Sequence, residues 1–402
     1  MRRLPGRGIG FVAVNDVALG DVCTFGSGGT PPRSTPEYFQ GETPWITGAD
    51  IGERSLISPR SFITQEAISR SAVTVVPQGT ALLVTRTSVG KVALSDRSLA
   101  FSQDITSITP DSSMLDPAYL VAFLASYAPK LAREARGATI QGVTRSDVAR
   151  ISIPLPPLLE QRRIASILEQ ADNLRAKRQR SIAIVDELID ATFHSTFDVS
   201  LSVNSSISSV LAEMPGAIRT GPFGSQLLHS EFTKSGIAVL GIVSAVQNEF
   251  SGQTPRFIST EKFDQLRRYQ VHPGDVLITI MGTISRCAIV PDDIGIAVNT
   301  KHLCCITLEK LKCRPIYLQQ YFLRDQRAKQ YLASVSKGAI MDGLNMGLIR
   351  DMPIFLPHLF DQSTFERAFL ELSKSKQRLQ SHLDKLDELF ASLQHRAFRG
   401  EL

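Results

Sequence analysis

The chain has 402 residues, 43% of them hydrophobic and 21% charged. At roughly 100–200 residues per domain this length holds about two to four domains, and the composition is too apolar for long disordered tracts. The formal net charge of +5 permits an anionic partner without requiring one, and no apolar run approaches the roughly 18 residues of a membrane helix, so no membrane partner is expected.

At the N-terminus Arg2, Arg3 and Arg7 precede a short apolar run, Ile9 to Val14, that Gly10 interrupts. This is not a secretory signal pattern, and a cytoplasmic protein is expected. Phe25-Gly26-Ser27-Gly28-Gly29 lacks the Gly-x-Gly-x-x-Gly spacing of a dinucleotide site and reads as a flexible loop. Trp45, the sole tryptophan, is expected inside its domain. Val73 to Val76 and Ala81 to Thr85 read as strand pieces parted by Pro77 and Gly79. Pro117 to Leu131 reads as an amphipathic helix, opened by a proline where the missing N–H costs nothing. A long helix follows Pro156-Pro157, with a candidate seam of Ile164, Ile167, Ala171, Leu174, Arg178, Ser181, Val185, Leu188 and Thr192.

The series then recurs. Val276 to Ile280 follows Pro273-Gly274, and Pro315 to Leu332 is a second proline-led helix. The closing long helix carries Phe365, Ala368, Leu372, Ser375, Leu379, His382, Leu386, Leu389 and Leu393. Both seams step by three and four, the period of about 3.5 residues that pairs helices in a coiled coil. Two matched helices, each about 35–40 residues and so roughly 50–60 Å long, are expected to pair antiparallel as a rigid spacer.

Identities confirm the duplication. Phe62-Ile63 and Phe257-Ile258, Gly79 and Gly274, and Leu82 and Leu277 share one offset. Ile108-Thr109 and Ile306-Thr307, and Pro117, Tyr119 and Leu120 with Pro315, Tyr317 and Leu318, share the next. Pro156, Gln161 and Asp186-Glu187-Leu188 match Pro357, Gln362 and Asp387-Glu388-Leu389 at the third. The period is too long for a solenoid. The fold expected is α+β: two similar mixed α/β units, 15–157 and 205–357, each followed by a long helix, 158–198 and 358–399, as a pseudo-two-fold internal repeat.

Catalytic patterns are missing. Gly90-Lys91 is followed by Val92, and Thr85 stands where a phosphate-binding loop needs glycine. Neither Thr30-Pro31-Pro32-Arg33 nor Leu155-Pro156-Pro157-Leu158 fits the Asn/Asp-Pro-Pro-aromatic loop of adenine methyltransferases. Pro110-Asp111 and Pro291-Asp292 lack a nuclease-type Glu-x-Lys follower, and no Gly-x-Ser-x-Gly elbow occurs. The histidines are scattered, and Cys23, Cys287, Cys304, Cys305 and Cys313 form no Cys-x-x-Cys, so no metal is expected and the thiols read as reduced and partly buried. A binder is favoured over an enzyme.

The chain resembles the specificity (S) subunit of type I restriction–modification enzymes over nearly its whole length. The resemblance rests on Ile153-Pro154-Leu155-Pro156-Pro157-Leu158-Leu159-Glu160-Gln161-Arg162-Arg163-Ile164, on Gly221-Pro222-Phe223-Gly224-Ser225, on Pro273-Gly274-Asp275-Val276-Leu277, and on Gly142-Val143-Thr144 with Gly343-Leu344-Asn345. The second copy of the junction, Ile354-Phe355-Leu356-Pro357-His358-Leu359-Phe360-Asp361-Gln362, departs from the first. The resemblance implies two target-recognition domains that read the halves of a bipartite, asymmetric sequence in double-stranded DNA. It implies paired helices that set the gap, docking of two methyltransferase (modification) subunits, and recruitment of restriction/translocase subunits. It also implies no cofactor and no catalysis on this chain. The alternatives are a self-sufficient DNA methyltransferase or nuclease and a tandem protein-binding scaffold.

Base readout needs donors and acceptors on loops. Thr85 to Lys91 and its counterpart Ile280 to Arg286 nominate Lys91 and Arg286 for phosphates, and Arg86, Thr87 and Thr283 for bases, with Ser88 beside them. Arg136 to Thr139 and Lys337 to Ile340 each place a cation before glycine. Arg219, Ser225 and Gln226 flank the Gly-Pro-Phe-Gly-Ser segment, Lys301 and His302 are possible phosphate neighbours, and Phe223 reads as core. Arg175, Lys177, Arg178 and Arg180 make a basic cluster on the first long helix, read either as a solvated face or as a strip facing DNA.

Overall fold

The computed structural model describes residues 15–52, 59–136, 142–197, 203, 205–253, 256–336 and 344–402. The chain divides into two compact units, Met1–Gln179 with Gln380–Leu402, and Arg180–Leu379.

In the first unit the order is β1 (Asp16–Ala18), α1 (Leu19–Val22), β2 (Cys23–Ser27), β3 (Thr43–Ile46), β4 (Ser61–Ile63), α2 (Gln65–Arg70), β5 (Thr74–Val76), β6 (Ala81–Val84), β7 (Val92–Leu94), β8 (Leu99–Phe101), β9 (Ile105–Pro110), α3 (Pro117–Glu134), α4 (Arg145–Ala149), β10 (Ser152–Pro154) and the first part of α5 (Leu158–Thr196). In the second it is β11 (Ser205–Ser206), β12 (Ile218–Thr220), β13 (Ile237–Leu240), β14 (Phe257–Ile258), α6 (Thr260–Leu266), β15 (Val276–Thr279), β16 (Cys287–Ile289), β17 (Ala297–Asn299), β18 (Leu303–Ile306), α7 (Pro315–Arg324), α8 (Gln326–Ser336), α9 (Met346–Arg350), β19 (Pro353–Ile354) and the first part of α10 (Leu359–Ala397).

The two units share one topology. An antiparallel sheet β2-β9-β6-β7 in the first corresponds to β12-β18-β15-β16 in the second. A mixed sheet β4-β3-β8-β5 corresponds to β14-β13-β17, with β3·β8 and β13·β17 as the parallel pairs. The fourth strand, β5, survives in the second unit only as a bridge between Gln270 and Val298. β1 pairs with β10, and β11 with β19.

The near-continuous apolar runs of β6 and β15 follow from burial on both faces. In the first unit Ala81 and Leu83 face α3, while Leu82 and Val84 face the mixed sheet with Ile46 and Phe101. In the second, Val276 and Ile278 face α7, and Leu277 faces Leu240 and Ala297. Cys304 and Cys305 are adjacent on β18 and point to opposite faces, so they cannot bridge; all five cysteines are free.

Burial pushes the thiols of Cys23, Cys304 and Cys313 up to about 12. The thiolate is the reactive form, so the native protein should resist aromatic disulfide reagents at pH 8 and titrate fully only in denaturant. Because these pKa values are raised above the unfolded value, the stability linked to them is present below about pH 9 and lost as pH rises toward about 12. The urea midpoint is therefore expected to fall across that window.

α3 runs unbroken, but the matching helix is cut in two. Asp325 leaves the helical conformation, accepts the Arg327 backbone N–H at 2.8 Å, and pairs with the Arg327 guanidinium at 2.7 Å. The long helices each have 39 residues and contribute to both units. In the first unit Arg163 donates to the Leu402 carbonyl at 2.7 Å and Arg175 pairs with Asp387 at 2.6 Å. In the second Lys376 pairs with Asp186 at 2.7 Å, and Phe193 meets Phe365. In both units numbers rise on α5 as they fall on α10, so the halves run antiparallel. Arg175 and Lys376 are repeat equivalents, as are Asp387 and Asp186: one ion pair, built twice.

The seam differs from the expected one in alternate positions. Ile164, Ala171 and Val185 are buried, but Leu174, Leu188 and Leu389 are about half exposed. Leu168, Ile189, Leu383 and Phe390, each one residue later in its heptad, take their places. Both rows average 3.5 residues and are comparably apolar, so periodicity alone does not separate them. The chosen row admits Arg175 because Asp172 and Asp387 neutralise it and the Phe390 ring lies 4.7 Å beneath it. Arg175 therefore serves the helix pair, and not an open basic strip.

Candidate nucleic-acid interface

In the first unit the β6–β7 hairpin closes with Val84 N–H donating to the Lys91 carbonyl at 2.8 Å and Gly90 N–H to the Val84 carbonyl at 3.0 Å. Thr87 and Gly90 are left-handed, with φ of 65° and 102°. In the second unit Thr279 N–H donates to Arg286 at 2.9 Å and Ser285 N–H to Thr279 at 3.2 Å. There the left-handed residues are Gly282 and Ser285, with φ of 75° and 63°. The two hairpins thus share both left-handed positions, while glycine occupies the second in one and the first in the other. Arg86, Thr87, Ser88, Thr283 and Arg286 are exposed at these tips, and Lys91 is half-buried.

Backbone pairing joins two of the expected loops, at Thr85 and Arg136, to the segment at Asp104. Thr85 N–H donates to the Asp104 carbonyl at 2.8 Å, Val143 N–H donates to Thr85 at 2.9 Å, and Arg136 and Gly142 exchange bonds of 2.9 and 3.0 Å. The second unit repeats the frame: Ile280 N–H donates to His302 at 3.0 Å and Leu344 N–H to Ile280 at 2.9 Å. The glycine-rich run is not a flexible loop. Cys23–Ser27 is strand β2, and a Cβ on Gly28 would lie 2.2 Å from the Phe101 carbonyl oxygen. Gly221 occupies the same place in the second unit, 2.0 Å from the Asn299 oxygen. The glycines let the chain cross the sheet end at contact distance.

These segments line a cleft of about 980 Å³ in the first unit, with Arg86, Arg136 and Arg145 among its walls. Arg145 opens α4 and donates to Ser27 at 2.7 Å; Gln103 accepts from Thr30 at 2.7 Å. The sequence reading named Arg86 and Arg136 but missed Arg145, Gln103 and Asp104. The signal available was the match of Val143-Thr144 to Leu344-Asn345, which locates the turn just before Arg145. Capping fixes that turn: Asp147 N–H donates to Thr144 Oγ1 at 3.2 Å, and Leu348 N–H to Asn345 Oδ1 at 2.9 Å.

In the second unit Lys301 and His302 are half-buried beside the hairpin. Burial, with Lys301 and Arg256 nearby, lowers the His302 pKa, so the imidazole is neutral at pH 7. Ser225 and Gln226 are exposed; Gln226 Oε1 accepts from the Phe223 N–H at 3.2 Å and the Tyr269 hydroxyl at 2.8 Å. Phe223, expected in the core, is 49% exposed. Arg286 lies on a second cleft of about 660 Å³, whose walls also hold Asp186, Asp190 and Glu249. Thr139 and Lys337 lie outside the described residues.

Arg219 is corrected. Its side chain is 7% exposed, and Asp275, at 1%, accepts from it at 2.5 Å. The guanidinium also donates to the carbonyls of Gln270 at 2.7 Å and Gly216 at 3.0 Å, and to Thr307 Oγ1 at 2.9 Å. Every donor direction is spent inside the protein, so Arg219 braces the sheet and offers nothing to a ligand. Sequence position beside the Gly-Pro-Phe-Gly-Ser segment did not reveal this, because its partners other than Gly216 lie 51 to 88 residues away.

Residues 12–184 match the family model described as the type I restriction modification DNA specificity domain. This part of the chain is similar to the type I specificity family. It is 29% identical over 163 residues to the EcoR124I/EcoR124II specificity subunit of Escherichia coli, covering 39% of this chain and 40% of that one. It is 25% identical to the MjaIX specificity subunit of Methanocaldococcus jannaschii over 44% of this chain and 42% of that one. It thus spans about two fifths of the length of these relatives. With the MjaVIII specificity subunit of the same organism the match is 22% identical over 89% of this chain and 85% of the other. The fold is that of the S subunit from M. genitalium, with a TM-score of 0.59, 15% identity, and coverage of 99% of this chain and 98% of that one. A structure described as the basis of complex assembly and conformational transition of the type I restriction–modification system matches with a TM-score of 0.54 and 17% identity over both whole chains. Among the described residues no helix is long and apolar enough to cross a membrane, and no His/Cys/Asp/Glu group could hold a metal.

Proposed function

We propose that this chain is the non-catalytic specificity subunit of a type I restriction–modification complex. Residues 15–157 and 205–357 are its two target-recognition domains, and 158–198 and 358–399 its spacer helices. Each recognition domain reads one half of a bipartite, asymmetric DNA sequence. Two methyltransferase subunits dock on the chain and supply the chemistry, and restriction subunits join them. One observation carries the reading: the same loop frame is built twice by the same backbone hydrogen bonds, while the side chains on it differ. A scaffold for one kind of protein partner would have no use for that divergence; a reader of two unlike half-sites needs it.

A mixing assay tests the proposal. The purified chain alone should transfer no methyl group from S-adenosylmethionine to DNA, and with a cognate methyltransferase subunit it should direct methylation to one bipartite sequence. Methyl transfer by the chain alone would establish the self-sufficient enzyme instead. Salt separates the protein scaffold, since phosphate contacts make log K fall linearly with log[salt]. Within this reading Lys91 and Arg286 hold phosphates. Lys91→Ala should weaken binding alike at all sequences and reduce the salt slope by about 0.9; loss at one base pair only would make Lys91 a reader.

A further inference from the structure

The shared hydrogen bonds put the loops of both units in register position by position. Thr85 on Asp104 matches Ile280 on His302, and Val143 on Thr85 matches Leu344 on Ile280. It follows that Arg86 and Met281 are equivalents, as are Gln103 and Lys301, Asp104 and His302, and Arg145 and Met346. Around this frame the units agree: buried strands below, left-handed hairpin positions above, a close-contact glycine beside it. At these four positions no pair keeps its chemistry. The first unit presents two guanidinium groups, an amide and a carboxylate. The second presents two thioethers, an ammonium and a neutral imidazole, with Met346 40% exposed.

Resting on the specificity-subunit reading, we propose that these four equivalent positions are the base-reading set of each recognition domain. Arg86 and Arg145 make the first half-site depend on guanine, and Met346 makes the second depend on a thymine methyl group. The chemistry is direct. A guanidinium donates two parallel N–H bonds to guanine O6 and N7, a pattern no other base edge offers in the major groove. A thioether can form no such bond, but it is apolar, polarisable and free to fit the thymine C5-methyl, the one apolar group on that edge. Arg145 retains N–H donors beyond the one held by Ser27, and both arginines are exposed. In the second unit Met281 is half-buried against the core, whereas Met346 is 40% exposed on the loop frame.

The test uses the full chain co-expressed with its cognate methyltransferase subunits, with the methylated sites read genome-wide by sequencing. Arg86→Met together with Arg145→Met should lower methylation at the guanine-containing first half-site by about tenfold or more relative to other bases there, leaving the second half-site unchanged. The unchanged half-site reports that the variant is folded and assembled. Met346→Arg carries the converse: a guanine preference of similar size should appear in the second half-site. The proposal is overturned if both variants keep the parent base preferences, or if preference shifts in the half-site opposite the substituted unit. Absence of any sequence-specific methylation by the unsubstituted complex would instead sink the specificity-subunit reading itself.

Discussion

Arg219→Ala is expected to destabilise the second unit by about 3–5 kcal/mol, the cost of leaving a buried carboxylate without its counter-charge. Asp275 holds four partners: Arg219 at 2.5 Å, the His272 N–H at 2.8 Å, Thr307 Oγ1 at 2.6 Å and the Cys305 thiol at 3.1 Å. Removing the guanidinium strips the charge and also orphans the carbonyls of Gln270 and Gly216. Asp275→Ala should cost a similar amount from the other side. The double replacement Arg219→Met with Asp275→Leu should recover much of the loss, because two apolar groups leave no unpaired charge. Thermal melts and hydrogen exchange would locate the effect, with protection lost in β15 and β18 and retained in β6 and β9. A loss of less than about 1 kcal/mol for both single variants would show that water or a rearranged side chain replaces the pair. The equivalent positions in the first unit are Gly26 and Thr80, so this brace arose or was lost after the duplication.

Gln161→Leu and Gln362→Leu should each cost about 3 kcal/mol or more, in one unit only. Both glutamines are fully buried at the first turn of a long helix. Gln161 Oε1 accepts the Asp116 N–H at 2.8 Å, and its Nε2 donates to the carbonyls of Met114 at 2.9 Å and Pro156 at 2.8 Å. Gln362 does the same with the Arg314 N–H at 2.8 Å and the carbonyls of Lys312 at 3.1 Å and Pro357 at 2.9 Å. Leucine fills the space but abandons three backbone groups, each costing about 1–3 kcal/mol when buried unpaired. Beside each glutamine a buried tyrosine donates across the same junction, Tyr119 to Pro154 at 2.9 Å and Tyr317 to Phe355. Together they pin the proline-led helix, the strand end and the long helix. Unfolding that moved the two units' transitions equally would mean the bonds serve the whole chain and not the local junction.

The glutamines also show what was legible in the residues. Pro156 with Gln161 and Pro357 with Gln362 stood out as matched identities, and both turned out to make one hydrogen-bond pattern. Phe223 was misread for the opposite reason. An aromatic side chain between glycines carries no periodicity, and its 49% exposure depends on which segments happen to pack beside it. Arg145 went unnoticed because its importance lies in neighbours from Ser27 and Arg86, distant in sequence.

The chain by itself determined the duplication, the strands around Pro77-Gly79 and Pro273-Gly274, the proline-led helices and the two 39-residue helices. These are set by neighbours a few residues apart, through φ restriction, capping and apolar spacing, and a repeat exposes them twice. Only the tertiary structure decided which helical row is buried, that Arg219 is a brace, that Gly28 is a contact point, and that the loops at Arg86, Asp104 and Val143 meet. Each of those depends on which distant groups share a neighbourhood. Burial, counter-charge and steric contact are properties of that neighbourhood, and no local pattern encodes them.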